Sequence, residues 1–384
     1  MLVIKGGKII TVSGDTIEDG IILVDGGKIV DVGVGLLIPE GSRVIDASDK
    51  VIMPGIVEAQ SRIAIIEEGV GAAGNDIDEA TDPSTPHIRA IDGVKVNADE
   101  GGLVAALEAG VTTVQILPGG SNVIAGQAFV MKTAPKATPD EMALKIPSGM
   151  KVNLTDSPQK RYGGMRRTPS SKMGVVDFLR KQLLKARHYM DRLESEKKPD
   201  RDLRMEALVP VLKGELPLLV HAHRADDITS GLRVCEEFGV RMVLHYATEG
   251  HRVADLLAER GIPIVHGNVF NIQPRSWEKR ELGYSTAKIL MDAGCKVAVT
   301  MDAMSQVIRL VPVAASLYVK NGMSYDAALR AITLTPAEIM GVEDRVGSIE
   351  IGKDADLRIC TGDPLSIHTK VSMVLVDGKI LYEA

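Results

Sequence analysis

Residues 217–250 read PLLVHAHRADDITSGLRVCEEFGVRMVLHYATEG. The stretch opens on a continuous apolar run, the pattern of a strand buried on both faces. Apolar residues then recur at helical spacing through DITSGLRVCEEFG, and a second apolar run, RMVLHYA, follows. The unit repeats downstream as the helix HRVADLLAERG, the strand IPIVHG, the helix STAKILMDAG and the strand KVAVTMD. Upstream lie the long amphipathic helix VVDFLRKQLLKARHYMDRLESEKK, the strand VTTVQIL and the short helix GLVAALEAG, which stops at Gly110. Strands alternating with helices, each strand closing on a polar residue, predict a parallel (β/α)₈ barrel of the TIM type. Its chemistry belongs at the C-terminal ends of the strands.

The ends of the chain read differently. LVIKGGKIITVSG, GIILVDGGKIVDVG and SRVIDASDKVIMPG look like β-hairpins, with Gly6-Gly7 and Gly26-Gly27 at two of the turns. ADLRICTGD and VSMVLVDGKILYE repeat the style near residue 384. Residues 1–53 and 345–384 are therefore expected to form one small composite β-sandwich domain, and residues 54–344 the barrel. In LTPAEIMG, Thr335 is the expected N-cap, with Pro336 at the first helical position, Glu338 completing a capping box and Gly341 ending the helix. Residues 75–100 and 158–172 look like insertions at strand ends, where long loops shape a site or an interface.

Composition sets bounds on function. Of 384 residues, 45% are hydrophobic and only 3% aromatic, so the core is aliphatic, as a barrel interior favours. A formal net charge of −6 argues against a nucleic-acid partner. Cys235, Cys295 and Cys360 lie far apart, without metal or redox spacing. Neither a leader peptide nor a membrane span is visible, so a cytoplasmic protein is expected.

The resemblance to a known family rests on MPGIVEA (53–59), GVTTVQILPGGSNVIAGQ (110–127), VHAHRADDI (220–228), ATEG (247–250) and VGSIEIGKDADLRICTGDP (346–364). With these segments in this order the chain resembles the amidohydrolase superfamily, and within it the imidazolonepropionase-related branch. The resemblance implies hydrolysis of C–N bonds in cyclic amides by a divalent metal, zinc above all, held by histidines and a carboxylate. It implies two histidines at the end of the first strand, but those positions hold Gln60 and Arg62. The sixth-strand histidine falls on Tyr246, with His245 one residue early and so expected on the opposite face. The fifth-strand histidine is present as His221, with His223 on the same side of the strand. The final aspartate is present as Asp302, and Asp156 stands where relatives often carry an acid.

Candidate metal ligands are thus His221, Asp302, His223 and Asp156, and Asp302 is also the candidate catalytic base. Gln60, Arg62 and Tyr246 are vestigial metal positions. Arg62 is expected either to bind an anionic substrate or to neutralise Asp302, and His87 to reach the substrate from an insertion. LPGGSNVIAGQ is either a phosphate cradle or a tight turn at the rim. Three functions stay open: a metal-poor, degenerate amidohydrolase; an active hydrolase with a sparse mononuclear site at His221 and Asp302; and a non-catalytic binding or regulatory subunit. The implied cofactor is one divalent metal or none. The implied partners are a small, anionic ligand and further copies of the same chain.

Overall fold

A computed structural model describes residues 1–67, 69–96, 102–270 and 277–384. The first strands are β1 (Leu2–Ile9), β2 (Ile17–Asp25), β3 (Lys28–Gly33), β4 (Arg43–Asp46) and β5 (Val51–Pro54). The central ones are β6 (Ile56–Ser61), β7 (Val111–Ile116), β8 (Ile124–Lys132), β9 (Ala143–Asn153), β10 (Leu218–Ala222), β11 (Met242–Tyr246), β12 (Ile264–His266) and β13 (Val297–Val299). The last are β14 (Leu357–Cys360), β15 (Val371–Val376) and β16 (Lys379–Glu383). No helix among the described residues is long and apolar enough to cross a membrane.

β6 to β13 form one eight-stranded sheet in sequence order. Its two edges approach each other, since Arg62 N–H donates to the Ala303 carbonyl at 2.8 Å and Ser61 bridges Ala303 in parallel. The sheet is therefore a nearly closed barrel, and helices such as Lys172–Leu193 and Ala225–Phe238 cover its outside. One expectation fails here. β8 runs antiparallel to both β7 and β9, so the barrel is mixed rather than all parallel. Two antiparallel connections replace helical crossovers, since the chain turns back between β7 and β8 and again between β8 and β9, where only the short helix Pro139–Met142 intervenes.

The barrel floor is a layer of small and branched residues, roughly one per strand: Ala59, Leu117, Ala128, Leu219, Val243, Val265 and Ala298. β9 contributes Gly149, where a Cβ would stand 2.5 Å from Leu219 Cγ. Bulk from one strand fills the place that its neighbour leaves empty, which is how a small barrel fills its interior.

The other strands make a second sheet in the order β16-β15-β14-β5-β1-β2-β3, with β4 also paired to β1. Both termini build it, because β14 lies antiparallel to β5. The hairpins expected at Gly26-Gly27 and between β15 and β16 are present, with positive φ at Gly26, Gly27, Asp377 and Gly378. The one expected at Gly6-Gly7 is not: β1 runs straight through both glycines as an irregularity in its pairing with β2. Close packing explains them, since a Cβ at Gly6 would meet Ser48 Oγ at 2.7 Å and one at Gly7 would meet Ile52 Cδ1 at 2.8 Å. β4 and β5 do not pair with each other either, as both run parallel to β1.

The helix Leu334–Met340 ends at Gly341 as expected, but it begins after Thr333 and no side chain caps it. Thr335 lies inside the first turn. Glu338 makes ion pairs with Arg330 and Lys296 instead of completing a capping box.

Candidate functional site at the barrel mouth

Arg62 follows β6, Asp302 follows β13, Tyr246 ends β11, and His221 and His223 lie at the end of β10. Their strands converge at one end of the barrel, so the sequence candidates other than Asp156 and His87 meet. The backbone is strained there: Tyr246, Ala247 and Asp302 have φ of 73°, 50° and 47°. Positive φ in residues with a Cβ is uncommon and collects at functional sites.

Asp302 is buried, 9% exposed, and its Oδ2 accepts two hydrogen bonds. Arg62 Nη2 donates at 2.8 Å and the Tyr246 hydroxyl at 2.6 Å. The Tyr246 oxygen in turn accepts from Gln60 Nε2 at 2.6 Å, and Gln60 Oε1 faces His245 Nδ1 at 2.5 Å. His245 therefore donates from Nδ1, and its buried Nε2 has no partner. This corrects the expected direction of His245. The positive φ at Tyr246 and Ala247 breaks the two-residue alternation, so His245 and Tyr246 both reach the same network. Burial, with Asp302 next to it, holds the Tyr246 phenol well above its ordinary range, so the hydroxyl keeps its proton and donates.

The two histidines of β10 form a second chain. Asn153 Nδ2 donates to the Asn122 carbonyl at 2.6 Å, which leaves Asn153 Oδ1 to accept from His221 Nδ1 at 3.1 Å. His221 Nε2 must then be the acceptor toward His223 Nε2, 3.1 Å away, and His223 Nδ1 accepts from the Thr248 hydroxyl at 2.8 Å. Burial keeps both rings neutral, pushing His223 down to about 3 and His221 well below its usual value. The His221 ring stacks on Tyr246 with centroids 3.9 Å apart, which joins the two chains.

Two charged residue types that sequence reasoning missed complete the interior. Lys151 of β9 is buried, with its ammonium 5.8 Å from the centre of the Tyr246 ring, and desolvation lowers it to about 7. Glu58 of β6 is fully buried and desolvation raises it to about 8, so near neutral pH it is mostly protonated. It meets the Thr300 hydroxyl and the Met301 amide. The signal for Lys151 lay in GMKVNL, where residues 151 and 153 are the polar positions of an apolar strand, spaced by two.

The remaining candidates sit elsewhere. Asp156 begins the helix Asp156–Gly164, pairs with Lys160 and receives no bond from the histidines; its own N–H donates to Glu278 at 2.7 Å. His87 lines a separate cavity of about 590 Å³ with Asp78, Arg89 and Lys95. The loop LPGGSNVIAGQ is occupied by an acid rather than open to one, since the Ser121 amide and hydroxyl both meet the Asp78 carboxylate.

These residues do not fit the metal that the resemblance implies. Zinc takes about three protein ligands with lone pairs free to point at it. Here Oδ2 of Asp302 is held by a guanidinium and a phenol, and Arg62 brings a permanent positive charge into the same space. That leaves the two imidazoles of β10. Among the described residues no group of three or more His, Cys, Asp or Glu side chains is arranged to hold a metal ion.

Comparison with known proteins agrees with this architecture. The model of the amidohydrolase family matches residues 213–381. The crystal structure of an amidohydrolase from Thermotoga maritima MSB8 superimposes with a TM-score of 0.96 at 34% identity, and each chain covers 100% of the other. Amidohydrolase tasK of Hapsidospora irregularis is 27% identical over 376 residues, which are 90% of this chain and 38% of that protein. The chain thus spans well under half the length of that relative. Imidazolonepropionase of Porphyromonas gingivalis is 24% identical over 418 residues, 98% of this chain and 92% of that one.

Proposed function

Since the chain belongs to the amidohydrolase family, we propose that it is a member in which a protein cation stands where relatives hold a metal. Its barrel mouth then binds a small ligand without metal-assisted hydrolysis. The observation that carries this reading is the contact of Arg62 Nη2 with Asp302 Oδ2 at 2.8 Å. A guanidinium cannot be deprotonated in a protein, so it neutralises the carboxylate permanently and does not yield its place to a metal by losing a proton.

The network leaves groups at the mouth for a ligand. Among the described residues, Asp302 Oδ1 is buried without a partner, and Arg62 Nη1 reaches only the Met304 sulfur, at 3.7 Å. One acceptor beside one set of donors matches a molecule that presents N–H and C=O together, as a cyclic amide does. A small carboxylate would use Arg62 alone, through a bidentate pair.

Metal analysis of protein purified without chelator tests the reading. Less than stoichiometric zinc, with none gained on incubation, is expected. A thermal-shift screen of cyclic amides and small carboxylates in the presence of chelator should then find stabilising ligands whose effect disappears in Arg62→Ala. Bound zinc at one equivalent, lost in His221→Ala, would instead establish a sparse mononuclear hydrolase. One observation favours that second reading: His221 Nε2 and His223 Nε2 approach to 3.1 Å, a spacing that two ligands of one ion can adopt.

A further inference from the structure

A cavity of about 810 Å³ opens beside the barrel, between the helices Lys172–Leu193 and Leu203–Leu212 and the loops at residues 82–84 and 167–168. Its walls carry four cationic side chains, Arg167, Lys185, Arg192 and Arg204, together with His188. Two carboxylates face them, and both are already engaged. Asp82 pairs with Arg204 at 2.9 Å, while Asp202 accepts the Arg204 and Met205 amides as the cap of its helix. Lys185, His188 and Arg192 fall on one face of their helix, at spacings of three and four residues. No ion pair among the described residues takes up Lys185 or Arg192, and among those residues the Arg167 side chain donates only to the Thr81 carbonyl, at 3.2 Å. A positive concavity on a chain of formal charge −6 runs against the protein's overall field.

A second observation is independent of charge. Ser84 lines the same cavity, is 2% exposed, and its buried hydroxyl has no hydrogen-bond partner. Buried hydroxyls are normally satisfied, so an orphan in the wall of a cavity is a donor held in reserve behind it. Phe178 and Met205 supply apolar wall between the cations. Next to Ser84, Thr85 Oγ1 accepts from Asn122 Nδ2 at 2.7 Å, and the Asn122 carbonyl accepts from Asn153, the partner of His221. The cavity wall is thereby continuous with the barrel mouth.

We infer that this cavity binds a small phosphorylated organic molecule. Its phosphate sits among Arg167, Lys185 and Arg192, and its carbon portion lies against Phe178 and Met205. A phosphate fits better than a single carboxylate because it offers several strong acceptor oxygens to donors that approach from a helix face and from the loop facing it.

Isothermal titration calorimetry of the full chain at low salt, with phenyl phosphate and inorganic pyrophosphate as probes, tests this. Saturable binding is expected. Lys185→Ala and Arg192→Ala should each weaken it about tenfold or more; both side chains are exposed on a helix, and an unchanged thermal midpoint verifies folding. Tyr246→Phe, which alters only the barrel mouth, should bind as the parent does, so failure of this inference and of the metal-free reading are separable. Three results overturn the assignment: no saturation, an affinity equal to the parent's in both cavity variants, or tighter binding of malonate than of either phosphate.

Discussion

The Arg62 guanidinium and the Asp302 carboxylate form an ion pair at 2.8 Å across the seam where the barrel closes, with side chains only 19% and 9% exposed. Their backbones meet at the same seam, where Arg62 N–H donates to the carbonyl of Ala303. One residue therefore contributes both a closing hydrogen bond and the charge that lets an acid stay buried. Burial acts against the charge on Arg62, and Asp302, Tyr246 and Asp78 together more than restore it.

Arg62→Ala is expected to destabilise the fold by about 2–4 kcal/mol, the lower part of the range for stripping a buried acid of its partner, because Arg62 retains some exposure. Arg62→Ala combined with Asp302→Asn should recover at least about half of the loss, as no charge is then stranded. Urea unfolding of the three proteins measures this. A single variant within about 0.5 kcal/mol of the parent would show that the pair carries no such burden.

Rebuilding the missing ligands tests the identity of the site from the other direction. Gln60→His, Arg62→His and Tyr246→His together remove the guanidinium and place three imidazoles beside His221 and Asp302. Calorimetry should find about one zinc per chain, since a closed site needs about four ligands. The same triple variant without zinc binding would mean that the strand ends have moved apart beyond the reach of one ion.

Gly149 makes a prediction about the floor. A side chain there runs into Leu219, so Gly149→Val should cost about 1–3 kcal/mol by overpacking, and the pair Gly149→Val with Leu219→Ala should return part of it. Thermal unfolding of both gives the answer. Additive losses would show that the two positions do not share one volume.

Lys151 predicts a pH dependence. Its folded value, about 7, is below that of a free lysine, about 10.4, so between these values the unfolded chain binds the extra proton and stability rises with pH. Glu58, raised to about 8, acts oppositely from about pH 4.5 to 8, where the folded state holds the extra proton. Above about pH 8 only the lysine effect of these two remains. Lys151→Met should therefore flatten the rise from about pH 8 to 10 and be more stable than the parent at pH 7 by more than about 1 kcal/mol. An unchanged slope in urea unfolding across that window contradicts the assignment.

Much of this was legible in the sequence because each signal was local. The apolar runs at 218–222 and 242–246 and the glycine stops at Gly110 and Gly341 are short-range patterns, and the structure keeps them. The pairing of Arg62 with Asp302 was one of two roles open to Arg62, because residues after the first and last strands share the seam of a barrel. What stayed hidden depends on three-dimensional neighbours. Nothing near Ile124–Lys132 in sequence reports that it runs against both neighbours, since direction is set by how the chain turns before and after β8. Gly6-Gly7 looks like a turn until Ser48 and Ile52 are packed on it. His245 was misjudged because alternation assumes negative φ, and the next residue departs from it.

β14 closes on β5, and Lys132, from the barrel, is held by Asp354, Asp356 and Asp377 of the C-terminal segment. During synthesis, residues 51–54 have no partner on that side until residues 357–360 emerge, some three hundred positions later. Residues 1–54 thus wait with an open sheet edge, the kind of edge that pairs with other chains. Truncation of the last strands consequently harms the beginning of the molecule as much as its end.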